Sequence, residues 1–89
     1  MPPLDPARAQ SKRRDALERD IARLLERREH GEDIETRWLE LALSLFHGVG
    51  RQRGRAMVRA ASIDRNDDGF HLSHEGEMYY VPQPPGGTI

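Results

Sequence analysis

The chain has 89 residues, 36% hydrophobic and 33% charged, with a formal net charge of −1 and no cysteine. That length holds one domain, and the missing cysteines exclude disulfides and thiolate zinc sites. No apolar stretch approaches transmembrane length, so no membrane role is expected.

The N-terminal segment Met1-Pro2-Pro3-Leu4-Asp5-Pro6 lacks the apolar run of a signal peptide, and a cytoplasmic location is expected. Asp5 followed by Pro6 suits a helix start, an N-cap acid before a first-turn proline. Leu17, Ile21, Leu24 and Leu25 recur at helical spacing, and Gly31 after Arg27, Arg28 and His30 gives a stop. A second helix is expected from about Asp33 to the glycines Gly48 and Gly50. Ile34, Trp38, Leu41, Ala42, Leu45, Phe46 and Val49 form its wide apolar face, with Leu39 and Leu43 on the neighbouring side. The short connection at Gly31 makes the two helices antiparallel neighbours. Arg51 to Ser62 reads as a short basic third helix, with a strand as the alternative. Asn66 to Gly69 reads as a turn. Phe70–Leu72 and Met78–Val81 then read as two strands joined through His74, Glu75 and Gly76.

The expected fold is therefore α+β and mainly α. It comprises an antiparallel helical hairpin, a short third helix and a C-terminal β-hairpin, in one domain over residues 1–81. Residues 82–89, rich in proline and glycine, read as a flexible tail.

Charge is segregated along the chain. Residues 1–31 sum to +2, 32–47 to −3, 48–65 to +4 and 66–89 to −4. The dense basic patch is Arg51, Arg53, Arg55 and Arg59, a candidate for phosphate contact. The run from Gly48 to Arg55 carries neither a Walker loop nor the dinucleotide fingerprint.

Asp64-Arg65-Asn66-Asp67-Asp68-Gly69-Phe70-His71-Leu72-Ser73-His74-Glu75 matches D-x-[DN]-x-[DN]-G-x5-E. In a calcium loop Asp64, Asn66 and Asp68 supply alternate oxygens, Phe70 a carbonyl and Glu75 the closing carboxylate. The competing reading is an acidic turn before a hairpin, where Asp, Asn and Gly serve the backbone alone. No other cofactor is implied. His71 and His74 fall on opposite faces of a strand, which does not suit a shared zinc ion.

Asp68-Gly69-Phe70-His71-Leu72-Ser73-His74-Glu75-Gly76 resembles the wing end of winged-helix regulators, where a glycine turn leads into a strand and then Leu-Ser/Thr-x-x-Gly. That resemblance implies a DNA-binding regulator, with Arg51 to Ala61 as the recognition helix.

No paired carboxylates or activated nucleophile stand out, so a non-enzymatic binding protein is expected, such as a small phage or mobile-element regulator or inhibitor. Its partner is a larger protein or a second copy, met through Trp38, Leu39 and Leu43. Leu39 and Leu43 exceed what the first helix can cover, which predicts a homodimer. The alternatives are the DNA-binding regulator and the calcium module.

Overall fold

The computed structural model describes residues 6–86, with side chains from Ser11 onward. Three helices, α1 (Pro6–Glu29), α2 (Glu35–His47) and α3 (Arg51–Ala60), precede three strands, β1 (Ser62–Arg65), β2 (Gly69–His74) and β3 (Glu77–Pro82). The strands form an antiparallel sheet in the order β1-β2-β3. The expected α+β architecture is present, with an additional strand at its edge. The cap expected at Asp5 lies outside the described residues.

Gly31 ends α1 as expected. Its φ is +90°, the Glu32 N–H donates to the Arg27 carbonyl at 3.2 Å, and the Gly31 N–H donates to that of Arg28 at 2.9 Å. This crossed pair satisfies carbonyls the helix leaves open. Gly48 ends α2 in the same way, with the Val49 N–H donating to Leu43 and the Gly48 N–H to Ser44. Val49 is thereby turned inward and buried. At the start of α2 the Asp33 carboxylate accepts from the Glu35 N–H at 3.1 Å, one residue before the N-cap Ile34, where a side-chain cap is usual.

The core joins Ile21 and Leu24 of α1 to α2, to Met57 and Val58 of α3, and to Phe70, Leu72 and Val81 of the sheet. The second helix is its centre: α1, α3 and β3 all pack against α2, and α3 also meets β2. Trp38 is 2% exposed, and its Nε1–H donates to the Pro82 carbonyl at 2.9 Å, so this large ring is buried with its polar atom satisfied. No described helix is long and apolar enough to cross a membrane.

Leu39 and Leu43 are 1% and 0% exposed. With Trp38, they are core residues, and none of the three offers a surface to a partner in this fold. The expectation that they were surplus is corrected: α3 and the sheet cover the side of α2 that α1 cannot. Phe46, assigned to the main apolar face, is instead 52% exposed.

The strand missed in the sequence is β1. It pairs with β2 from Ser62↔Ser73 to Arg65↔Phe70. Its only inward apolar residue is Ile63, too little for a period-2 pattern to register. Arg65, also on the inner face, donates Nε to Glu35 Oε1 at 2.7 Å and Nη2 to Oε2 at 2.9 Å, tying the sheet to α2. That hydrogen bonding, and then the Glu35 charge, raises the Arg65 guanidinium above its usual pKa.

Gly69 opens β2 because nothing larger fits. A Cβ there would stand 2.3 Å from the Val81 carbonyl oxygen and 2.9 Å from Pro82 Cα. The β2–β3 turn has positive φ at both Glu75 (+50°) and Gly76 (+79°), as a two-residue type I′ hairpin turn requires.

The C-terminal segment does not hang free over its described length. Pro82 belongs to β3, the Gln83 N–H donates to the Asp68 carbonyl at 3.3 Å, and Arg28 Nη2 donates to the Pro85 carbonyl at 2.8 Å. Within the segment read as a flexible tail, residues 82–86 thus contact the rest of the domain, and 87–89 lie outside the described residues.

Candidate functional site

The third helix is amphipathic by construction. Gly54, Met57 and Val58 face the core, while Gln52, Arg53, Arg55, Ala56, Arg59 and Ala60 are exposed. Arg51, Arg55 and Arg59 recur every four residues along one flank, and Arg53 lies on the other. So the four arginines singled out in the sequence do not form one cluster: three align and one is turned away.

The aligned flank meets other cations. Arg51 Nη2 donates to Asp20 Oδ2 at 2.6 Å, which fastens the start of α3 to α1. Around that contact Arg23 and Arg27 of α1, Arg37 of α2 and Arg51 of α3 line one groove of about 250 Å³ over Leu24 and Leu41. Arg37 and Arg51 continue into a narrower cleft that reaches Arg55. On the other side of Asp20, Arg13, Arg14 and Arg51 line a cleft of about 840 Å³ between α1 and the α2–α3 turn, floored by Leu17, Leu45 and Val49. Arginines of three helices therefore border one connected surface. Counter-charges partly hold them: Glu32 takes Arg27 at 2.9 Å, Glu40 takes Arg37 at 3.7 Å and Glu18 takes Arg14 at 3.3 Å. Among the described residues Arg13, Arg23, Arg55 and Arg59 make no ion pair.

Arg13, Arg14, Arg23, Arg27 and Arg37 were not identified from the sequence as site residues. They are scattered over 25 positions among acids, and only the packing of α1 on α2 gathers them. The available signal was their position beside the apolar stripe: Arg23 precedes Leu24 and Arg37 precedes Trp38, so each emerges at the rim of a helix–helix contact.

The calcium pattern is not assembled. Asp64 sits on β1 opposite His71. The Asn66 side-chain oxygen accepts from the Asp68 N–H at 2.9 Å and the Gly69 N–H at 3.0 Å, so it serves the turn. Phe70 lies within β2, with its side chain buried. Glu75 stands at the opposite end of β2 from Asp68, roughly 20 Å away at about 3.3 Å per residue. A calcium ion needs its oxygens within 2.3–2.6 Å. The physical reason for this correction is the hairpin: residues that a helix–loop–helix would curl around an ion are drawn out into a strand. Among the described residues, no three His, Cys, Asp or Glu side chains form a group able to hold a metal ion.

The histidines serve the sheet. The His47 Nε2 lies 2.7 Å from the Tyr80 carbonyl, which can only accept, so Nε2 carries the proton there. His71 packs edge to face on Tyr80 with ring centroids 5.2 Å apart. His71 and His74 occupy opposite faces of β2, as their spacing required.

No family model matches this sequence, no curated protein matches it, and no solved structure matches the fold.

Proposed function

We propose that this chain is a small non-enzymatic binding protein whose ligand is a nucleic-acid backbone, held on the arginine surface where α1, α2 and α3 meet. The observation that carries the reading is the convergence of Arg23, Arg37, Arg51 and Arg55 from three helices on one rim. Guanidinium groups are weakly hydrated and donate in a fork that matches phosphate oxygens. The exposed face of α3 supports the same ligand. Ala56 and Ala60 keep it low, so a groove edge can approach, and Gln52 lies beside them. The three-residue link Gly48-Val49-Gly50 between α2 and α3 has the length of a helix-turn-helix turn. The sheet is a poor wing for this purpose: Asp67, Asp68, Glu75 and Glu77 occupy its two ends, where phosphates would be repelled. Contact through the helices alone is the form of the DNA-binding reading that these charges favour. A nucleic-acid ligand also suits the cytoplasmic location expected from the sequence.

Fluorescence anisotropy with a labelled DNA duplex tests the proposal. Four phosphate contacts, one for each of these arginines, give a slope of about −3.6 in log K against log salt, and about 150-fold weaker binding at 200 mM than at 50 mM salt. Arg23→Ala and Arg55→Ala are each expected to reduce the slope by about one. Absence of binding at low salt overturns the reading. A protein partner would then lead, favoured by Phe46, which stands half-exposed beside an apolar groove lined by Ile21, Leu45, Pro82 and Pro85.

A further inference from the structure

Among the described residues, charges without an ion pair are all acidic on the sheet and mixed on the helices, where Asp15, Glu26 and Glu29 of α1 accompany the arginines but α3 carries arginines and no acid. On the helices Arg23, Arg55 and Arg59 make no ion pair among the described residues. On the strands and their turns the same holds for Asp64, Asp67, Asp68, Glu75 and Glu77. The one arginine of the sheet, Arg65, is turned toward the helices and taken by Glu35. The sheet surface is thus acidic and the outer face of α3 basic, although the whole chain is near neutral.

The sheet also carries apolar area away from the core. Phe70, Leu72 and Val81 face the helices, so their strand neighbours His71, Ser73 and Tyr80 face outward. Met78, paired with Ser73, is 65% exposed, and Tyr80 is 44% exposed. The Tyr80 ring is held in place: its hydroxyl donates to the Asp68 carbonyl at 3.0 Å, and its ring forms a T-shaped pair with His71. Asp64 shares this outer face and Asp67, Asp68 and Glu75 stand in the turns at its two ends, whereas Glu77, paired with His74, lies on the helix side. A fixed, exposed tyrosine beside an accessible methionine and these four carboxylates is a surface suited to a cationic, partly apolar partner.

We propose that this partner is a second copy of the chain: the outer face of the sheet docks the arginine face of the next molecule, head to tail. Charge complementarity selects the occupant. Either face placed against itself brings like charges together, whereas sheet against helices pairs Asp64 and the turn residue Asp67 with arginines such as Arg55 and Arg59. A guanidinium over the Tyr80 ring adds a cation–π contact, and Met78 meets the low surface at Ala56 and Ala60. Such an interface is heterologous and can continue from copy to copy. Because its charges are solvated, it is weak and strongly screened by salt. This inference goes beyond the nucleic-acid reading, and phosphate would compete for the same arginines.

Sedimentation velocity decides it. The expected weight-average mass rises with protein concentration at about 20 mM salt and falls to the monomer value of 10.2 kDa at about 500 mM, where screening acts within a few ångströms. Two double variants follow: Arg55→Glu with Arg59→Glu, and Asp64→Lys with Asp67→Lys. Each alone is expected to remain monomeric at low salt while keeping the wild-type circular dichroism. Mixed in equal amounts they are expected to associate again, since each retains the face the other lost. Milder pairs, Arg55→Gln with Arg59→Gln and Asp64→Asn with Asp67→Asn, give the same test if a reversal unfolds the chain. A monomeric wild type at low salt, association that persists in either variant, or a mixture that stays monomeric overturns the proposal. Duplex binding is measured in parallel. Association without duplex binding fails only the earlier reading, and duplex binding by a strict monomer fails only this one.

Discussion

Two glycine-to-alanine substitutions should move stability in opposite directions, and the space at each site decides the sign. At Gly69 a methyl group would lie 2.3 Å from the Val81 carbonyl oxygen, about an ångström inside van der Waals contact, with Pro82 Cα at 2.9 Å behind it. Both obstacles are backbone of the paired strand, so relief requires β3 to move. That strand carries the Pro82 carbonyl that satisfies Trp38, and Val81, which is fully buried. Overpacking of this kind costs about 1–3 kcal/mol, and the coupled loss of the tryptophan contact puts Gly69→Ala at the upper end. At Gly54, within α3, the nearest atoms to a new Cβ are the Glu40 carbonyl oxygen at 3.4 Å and Val49 Cγ1 at 3.9 Å, both ordinary contacts. Alanine there removes unfolded-chain entropy and improves helix propensity, a gain of about 0.5–1 kcal/mol. Urea unfolding followed by the single tryptophan and by far-UV circular dichroism should place the Gly69→Ala midpoint below wild type and the Gly54→Ala midpoint above it. A neutral Gly69→Ala would refute the tight approach of β2 to β3. A destabilised Gly54→Ala would show that α2 and α3 need a closer approach than 3.4 Å allows.

Replacing Glu75 by Asn should stabilise the protein by up to about 1 kcal/mol, because Asn-Gly is the preferred pair for a turn with positive φ at both residues; a lowered urea midpoint would contradict that turn. Calcium at millimolar concentration should leave the melting temperature unchanged, and a rise that Asp64→Ala abolishes would restore the loop reading. Trp38→Phe should cost about 1 kcal/mol or more, since it removes the Nε1–H bond and leaves the Pro82 carbonyl short of a donor; an unchanged urea midpoint would contradict it. The Arg65–Glu35 contact should add no pH dependence from the arginine side through the neutral range. A raised folded pKa keeps its stabilisation below the ordinary arginine value and loses it only as pH climbs through the raised one.

Much of the fold was legible because each helix announces itself by local chemistry. Gly31 and Gly48 stop two helices with positive φ, and the Leu17–Leu25 stripe meets α2 as its spacing implies. The final hairpin followed from Phe70, Leu72 and Val81 alternating with polar residues. What escaped was decided by tertiary contact. Strand β1 carries Ser62, Asp64 and Arg65 around one isoleucine, so only pairing with β2 makes it a strand. The enclosure of Leu39 and Leu43 was likewise a matter of packing: α3 and β3 close on the side of α2 that α1 leaves open, and Phe46 is the residue left in solvent.

The same logic explains why one motif failed and the arginine surface stayed hidden. The pattern from Asp64 to Glu75 is a statement about spacing along the chain, and spacing becomes distance only through the backbone that carries it. In a curled loop twelve residues surround an ion; in a hairpin they separate the first carboxylates from the last by the length of a strand. The arginines invert the case. Arg23, Arg37 and Arg51 are fourteen residues apart from one to the next, a spacing no short motif records, yet α1, α2 and α3 each deliver one to the same groove. If that groove is the working surface, Leu39→Glu with Leu43→Glu should destroy nucleic-acid binding by unfolding the core that assembles it, with loss of helical circular dichroism. Arg23→Ala should weaken binding with the fold intact. A folded double variant would mean that these leucines are surface residues after all, and that α2 does not hold the three helices in the arrangement on which the arginine surface depends.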